Sequence, residues 1–168
     1  MVRKLRAPEF GAWRTGGRMA HRKDWLLLAI ACTADGKLSP VQSQQAMFLL
    51  SEEAGARITR PFYSFHPYNY GPFDATIYRD VDNLQQDGLL RIVHTERFAA
   101  YQITPAGLNH AGQLRGSLDE RATDYLERVV VWIKSLSFDT ILEAIYEKYP
   151  KYKKNAGFVA VRSPQSSR

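Results

Sequence analysis

Hydrophobic positions along the chain predict a mainly helical protein that begins with two helices. Residues 25–32 are apolar on nearly every side, which is typical of a short buried helix, and Asp24 is its predicted N-cap. Ser39, Pro40 and Gln42 form a capping-box pattern that predicts a second helix to about residue 54. We expect this second helix to bury Val41, Ala46, Met47, Leu49 and Leu50 and to expose Gln42, Gln44, Gln45, Glu52 and Glu53.

A third helix is predicted over residues 74–86. Ile77, Val81 and Leu84 recur there at the spacing of one helix face, and Asp74 precedes them as a cap. The outward positions of this helix are then polar or charged. It follows a stretch, residues 62–73, that holds six aromatics and two prolines, and such aromatics need a surface to bury against.

A β-hairpin and a fourth helix come next. Residues 89–94 and 98–103 are strand-like runs joined by three residues, and Thr104-Pro105 begins a helix to about residue 114. Helix, helix, helix, hairpin and helix is the order of a winged helix-turn-helix. The predicted fold is therefore mainly α with a small β-hairpin (α+β), a winged helix-turn-helix with a C-terminal helical extension.

Two amphipathic helices, residues 120–136 and 138–149, form that extension. Their apolar faces exceed what one small winged helix readily covers, so the pair either packs back on it or dimerises. We expect a homodimer through residues 118–150. The predicted organisation is a flexible basic N-terminal arm (1–23), a winged-helix domain (24–117), a helical pair (118–150) and a basic tail (151–168).

Charge is distributed unevenly along the chain. The formal net charge is +6, but residues 24–150 hold eleven Lys/Arg and sixteen Asp/Glu, so the basic charge lies in the two ends. An acidic body weakens any inference from net charge to a DNA-binding face, although basic ends add salt-sensitive affinity for phosphates. One cysteine and no apolar run of about 20 residues predict a cytoplasmic protein that does not enter a membrane.

Four short motifs resemble those of a known family. They are Phe65-x-Pro67-Tyr68-x-Tyr70-Gly71-Pro72-Phe73, then Ile77-Tyr78-x-Asp80-x-x-x-Leu84, then Gly88-Leu89-Leu90, then Tyr101-x-Ile103-Thr104-x-x-Gly107. Together the chain resembles small bacterial and phage winged-helix proteins related to the SocA-like antitoxin (Panacea) domain, over roughly residues 24–112. The resemblance implies a winged-helix fold and a role in gene regulation or toxin neutralisation, and it supplies no catalytic residue.

The first hypothesis is a non-enzymatic, DNA-binding transcriptional regulator. In a winged helix the third helix enters the major groove and the hairpin lies along the backbone or minor groove. Arginine and asparagine side chains can read guanine and adenine edges. The predicted contacts with double-stranded DNA are Thr76, Arg79, Asn83, Arg91, His94 and Arg97. Four aspartates in residues 74–87 oppose this docking, because they repel phosphates.

The alternative is a protein-interaction module, an antitoxin or accessory subunit that binds a protein such as a toxin. Its predicted contacts are Tyr68 and Tyr70, whose hydroxyls suit a partner groove, and Asp80 of the acidic third helix. A simpler reading of the same stretch is that Phe65, Tyr70 and Phe73 fix the third helix to the first two.

Catalytic and metal motifs give no support for an enzyme. The four histidines and Cys32 show no metal-ligand spacing, and the sequence contains no phosphate loop or nucleophile motif. We therefore expect no catalytic activity, no metal and no cofactor.

Overall fold

The computed structural model describes residues 6–9 and 20–153. The predicted tail beyond residue 153 and most of the predicted N-terminal arm lie outside the described residues. The helices are α1 (Arg22–Ala31), α2 (Pro40–Glu53), α3 (Gly55–Ile58), α4 (Thr76–Gln86), α5 (Pro105–Ser117), α6 (Glu120–Ser135) and α7 (Phe138–Lys148), followed by a 3₁₀ turn (Pro150–Lys153). The strands are β1 (Lys37–Leu38), β2 (His66–Tyr68), β3 (Gly71–Phe73), β4 (Leu90–His94) and β5 (Ala99–Ile103).

Two small antiparallel sheets accompany the helices, so the α+β class is confirmed. The predicted hairpin is β4–β5, in which Ile92 opposes Tyr101. Strand β1 adds to it on the other edge, with Leu38 opposite Tyr101, which gives the order β1–β5–β4. The aromatic stretch forms the second hairpin, β2–β3, in which Pro67 opposes Pro72.

Three of these strands were not predicted from the sequence. Strand β1 has two residues, too few to show an alternating pattern. Strands β2 and β3 each contain a proline, which normally argues against a strand because proline cannot donate to the ladder. A sheet of only two strands tolerates both prolines, because each strand needs hydrogen bonds on one side only.

Helix starts differ from the sequence prediction at two places. Asp24 as N-cap of the first helix is wrong: α1 begins at Arg22, and the Asp24 carboxylate accepts a hydrogen bond from the His21 backbone N–H (3.1 Å). Helix α4 begins at Thr76, and Asp74 still ties down its start by accepting from the Thr76 N–H (2.9 Å).

The predicted exposed face of the second helix is wrong at Gln44 and Gln45, which are both buried. Helix α2 packs between α1 and α6, so residues 43–50 are covered on every side. The Gln44 amide makes two hydrogen bonds of 3.0 Å to the backbone of Asp74, one as donor and one as acceptor. An apolar environment is therefore compatible with this polar side chain.

The apolar face of α6 is covered within the chain. Its buried residues pack across α2 and α1: Ala122, Tyr125, Leu126, Val129, Val130 and Ile133. Helix α7 likewise buries Ile141 and Ile145. The premise for a dimer through residues 118–150, an uncovered apolar face, is therefore wrong for these helices.

The described part of the N-terminal arm packs on the helical pair. Ala7 is only 5% exposed, and the Pro8 carbonyl accepts hydrogen bonds from the Tyr125 hydroxyl (3.4 Å) and Lys148 Nζ (3.3 Å). Within the range predicted as a flexible arm, residues 6–9 therefore contact the folded body, and Arg22 and Lys23 belong to α1.

This boundary changes the charge of the folded body. Residues 20–153 hold fifteen Lys/Arg and sixteen Asp/Glu, because Arg22, Lys23, Lys151 and Lys153 belong to described elements. The body is therefore close to neutral rather than acidic, and the charge-based objection to nucleic-acid binding is weaker.

Candidate functional site

A cleft of about 800 Å³ lies between the start of α1, the outer side of α4 and the second half of α5. We call it the cationic cleft, because four Lys/Arg side chains and two histidines line it against two aspartates. These residues are Arg22, Lys23, Arg60, Arg79, His21, His110, Asp24 and Asp80. With neutral histidines its lining carries a net charge of +2.

Thr59 fixes the start of α1 at one wall of this cleft. Its hydroxyl donates to the Ala20 carbonyl (2.6 Å) and accepts from the Trp25 indole N–H (3.0 Å). Trp25 is fully buried, so the first turn of α1 is held against the chain that follows α3. The cationic side chains of α1 therefore start from an anchored backbone.

Asp80 is buried beneath the cleft, with an exposure of 5%. One carboxylate oxygen, Oδ2, accepts hydrogen bonds from the Tyr63 hydroxyl (2.6 Å) and Arg22 Nε (2.8 Å). Burial and then the Asp80 charge raise the pKa of Tyr63. Burial by itself lowers the pKa of Arg22, but the hydrogen bond and charge of Asp80 more than offset it, so the pKa is raised.

The outward, partner-binding assignment of Asp80 is therefore wrong. The carboxylate ties α4 to α1 inside the fold, and it offers little surface to another protein. Periodicity could not find this contact, because Asp80 lies beside the apolar face of α4 and Arg22 lies 58 residues earlier. The only local signal for a buried contact was that Asp80 follows a core residue of α4 by three positions.

The other aspartates of this region are mostly engaged as well. Asp74 is buried and accepts hydrogen bonds from the Ser64 N–H (2.7 Å) and from the Thr76 hydroxyl (2.7 Å). The Asp87 carboxylate lies 3.5 Å from Lys23 Nζ. Asp82 remains exposed on α4. Repulsion of phosphates by this helix is thus smaller than the sequence indicates, while the Thr76 hydroxyl, a predicted DNA contact, is already bonded.

The predicted DNA-binding residues fall into two groups. Arg79 and Asn83 are exposed, lie one turn apart on α4 and line the cationic cleft. Arg91, His94 and Arg97 are exposed on the β4–β5 hairpin, where Arg91 Nε donates to Gln102 Oε1 (2.9 Å). The cleft residues of α1 and α5, Lys23 and His110 among them, were missed from the sequence because they lie far from α4 along the chain.

A second candidate surface consists of tyrosines around the β2–β3 hairpin. Tyr68 is 47% exposed, Tyr70 64% and Tyr78 45%. The Tyr68 ring stacks on Phe73 (centroids 5.0 Å apart), and Phe73 lies 5.9 Å from Tyr78. These rings and Pro40 border a cleft of about 180 Å³. We call these four aromatic residues the tyrosine surface; Tyr78 was not predicted to belong to it.

The simpler reading of the aromatic stretch holds for part of it. Phe65 packs edge-on against Phe48 of α2, with ring centroids 5.5 Å apart, and so joins the stretch to the core. The same role is wrong for Tyr70, which is largely exposed. Aromatic residues of this stretch thus divide between core packing and a surface available to a partner.

In the part of the chain that the structure describes, the other reactive groups do not assemble into a site. Burial raises the pKa of the Cys32 thiol, although the nearby Arg115 guanidinium acts in the opposite direction. Within residues 6–9 and 20–153, no three His, Cys, Asp or Glu side chains form a group that could hold a metal ion. No described helix is both long enough and apolar enough to cross a bilayer.

Comparison with known proteins gives no relative: no protein-family model, no curated protein and no solved structure matches this chain. The resemblance to SocA-like antitoxin proteins therefore stays a prediction.

Proposed function

We propose that this chain is a non-enzymatic winged-helix protein that binds double-stranded DNA through α4 and the β4–β5 hairpin. The observation that carries the proposal is the sheet order β1–β5–β4, in which β1 comes from the connection between α1 and α2. In a winged helix, a strand from that connection is expected to pair with the hairpin that follows the third main helix, so this order supports the proposal. Helix α1 packs against both α2 and α4, which precede that hairpin.

Charge supports the same proposal. The exposed hairpin carries Arg91, His94 and Arg97 against Glu96, and the exposed side of α4 offers Arg79 and Asn83. Arg22 offsets Asp80 and Lys23 offsets Asp87, so two of the acidic charges near α4 are balanced by neighbours. Phosphate contacts by Lys and Arg supply most of the affinity in non-specific DNA binding.

Fluorescence anisotropy with a short labelled duplex tests this proposal. The double variant Arg91→Gln/Arg97→Gln should weaken binding by about tenfold at low salt, because two phosphate contacts are lost. The matched control is Arg121→Gln/Arg128→Gln, which removes two exposed charges from α6. Equal affinities of the two double variants would count against a DNA-binding hairpin.

We also propose, as a second candidate, that the tyrosine surface binds a partner protein. Three half-exposed tyrosines around one small cleft favour it, because tyrosine is enriched at interfaces and a contiguous exposed aromatic patch is uncommon. A partner recovered from the native host by the intact chain should be lost with Tyr70→Ser/Tyr78→Ser. Val131→Ser, which alters an exposed apolar residue of α6, should retain it.

A further inference from the structure

We propose that the cationic cleft binds a phosphate group, held by Arg79 and Asn83 of α4 together with Lys23, Arg60 and His110. The inference rests on the proposed DNA binding for one source of that phosphate, the backbone of a duplex. A free nucleotide presents the same group and is the other source.

The balance of charge in the cleft favours an anion. Both aspartates that line it are engaged by the protein: Asp80 by Arg22 and Tyr63, and Asp24 by the His21 backbone N–H. Lys23 also lies 3.5 Å from the Asp87 carboxylate at the edge of the cleft. With Asp87 counted, four Lys and Arg side chains face three aspartates, so the cleft keeps a net positive charge. Cations that line a concave, low-dielectric surface reinforce one another's field at its centre.

Hydrogen-bond donors in the cleft match a phosphate. Within residues 6–9 and 20–153, the Arg79 guanidinium and the Asn83 amide have no side-chain partner, and they lie one helical turn apart. A guanidinium presents a planar fork of N–H donors that fits two phosphate oxygens. The first turn of α1, at the wall of the cleft, adds the positive end of a ten-residue helix.

The shape of the cleft favours contact with a phosphate over contact with a base edge. A helix that reads bases is convex and enters the major groove, so its side chains meet base edges. Arg79 and Asn83 instead border a concavity between three helices, which accepts a group that projects outward, as a phosphate does. We therefore expect their contribution to DNA affinity to be independent of base sequence.

Salt dependence of duplex binding tests this role. For wild type, Arg79→Gln and Lys23→Gln, the affinity is measured on two duplexes of unrelated sequence. One lost phosphate contact should reduce the ratio of affinities at about 50 and 200 mM salt by about 3.5-fold, equally on both duplexes. Arg121→Gln, an exposed charge on α6, is the control and should leave the ratio unchanged. Thermal melts confirm that each variant folds.

The outcomes separate this inference from the proposed function. If Arg79→Gln leaves the salt dependence unchanged but abolishes discrimination between the duplexes, Arg79 reads bases and the phosphate role is overturned. If both cleft variants behave as Arg121→Gln does, the cleft is not used, while DNA binding through the hairpin survives.

Calorimetric titration with deoxyadenosine monophosphate covers the second source. One outcome is that the wild-type chain binds this nucleotide but no duplex, and that Arg79→Gln abolishes the nucleotide binding. This result would support the phosphate site and overturn the proposed DNA binding. Absence of binding to both probes would overturn the two together.

Discussion

Replacing Asp80 by alanine tests whether this carboxylate holds α4 to the start of α1. In the folded chain one Asp80 oxygen accepts hydrogen bonds from the Tyr63 hydroxyl (2.6 Å) and Arg22 Nε (2.8 Å). The Arg22 guanidinium also lies over the Tyr63 ring, 5.1 Å from its centroid. Asp80→Ala removes the acceptor of both hydrogen bonds. It also removes the carboxylate that holds the Arg22 guanidinium beside the Tyr63 ring.

The expected loss follows from what each partner can do without Asp80. The Tyr63 hydroxyl is buried, and leaving it unpaired costs about 1 to 3 kcal/mol. The Arg22 side chain is 22% exposed and can turn to water, so its loss is smaller, about 1 kcal/mol at most. Removing the buried carboxylate offsets part of this cost. The free energy of unfolding should therefore fall by about 2 kcal/mol.

Urea denaturation followed by tryptophan fluorescence and far-UV circular dichroism measures this loss. Asp82→Ala is the matched control, because Asp82 is exposed on the same helix and its removal should change stability by no more than about 0.5 kcal/mol. If Asp80→Ala is no less stable than Asp82→Ala, the buried network does not tie α4 to α1.

Three further predictions concern local structure. In urea denaturation, Gly107→Ala should lower the free energy of unfolding by about 2 kcal/mol or more, because its Cβ would lie 2.0 Å from the Leu89 carbonyl oxygen. Gly112→Ala has open space around the added Cβ and should raise the free energy of unfolding by up to about 1 kcal/mol. Ser39→Ala should cost about 1 kcal/mol in thermal unfolding, since the Ser39 hydroxyl accepts from the Gln42 N–H (3.1 Å). Burial, followed by the charges of Tyr78 and Asp82, raises the pKa of Tyr101 to about 12, so its contribution to stability is present below pH 10 and is lost as pH rises towards 12. Tyr101→Phe should make stability less dependent on pH across that interval.

Local patterns predicted six of the seven described α-helices and the main hairpin, because those elements carry strong local signals; the four-residue helix α3 was not predicted. Capping by Ser39 and Thr104, each followed by proline, marked two helix starts that the structure confirms. The burial of Gln44 has no such signal, since it depends on the backbone of Asp74, thirty residues away. Strand β1 depends on pairing with β5 in the same way, and two residues alone carry no pattern.

The candidate sites were predictable only in part for the same reason. The exposure of Arg79 followed from helix periodicity, and that of Arg97 from its place in the predicted turn of the hairpin. The cationic cleft combines α1, α4 and α5, so its composition depends on tertiary packing. Counting charges along the chain also misled, because Arg22 and Lys23 belong to the fold and pair with aspartates of the α4 region.

The most direct test of DNA binding by the folded body compares two full-length variants in the same anisotropy titration. One carries Arg79→Gln/Arg97→Gln, in the cleft and on the hairpin. The other carries Arg162→Gln/Arg168→Gln, close to the C-terminus of the sequence. Winged-helix binding predicts that the first variant loses most of its affinity for a duplex and that the second retains most of it. Loss of binding in the second variant alone would contradict the account, because the affinity would then come from the basic end of the chain.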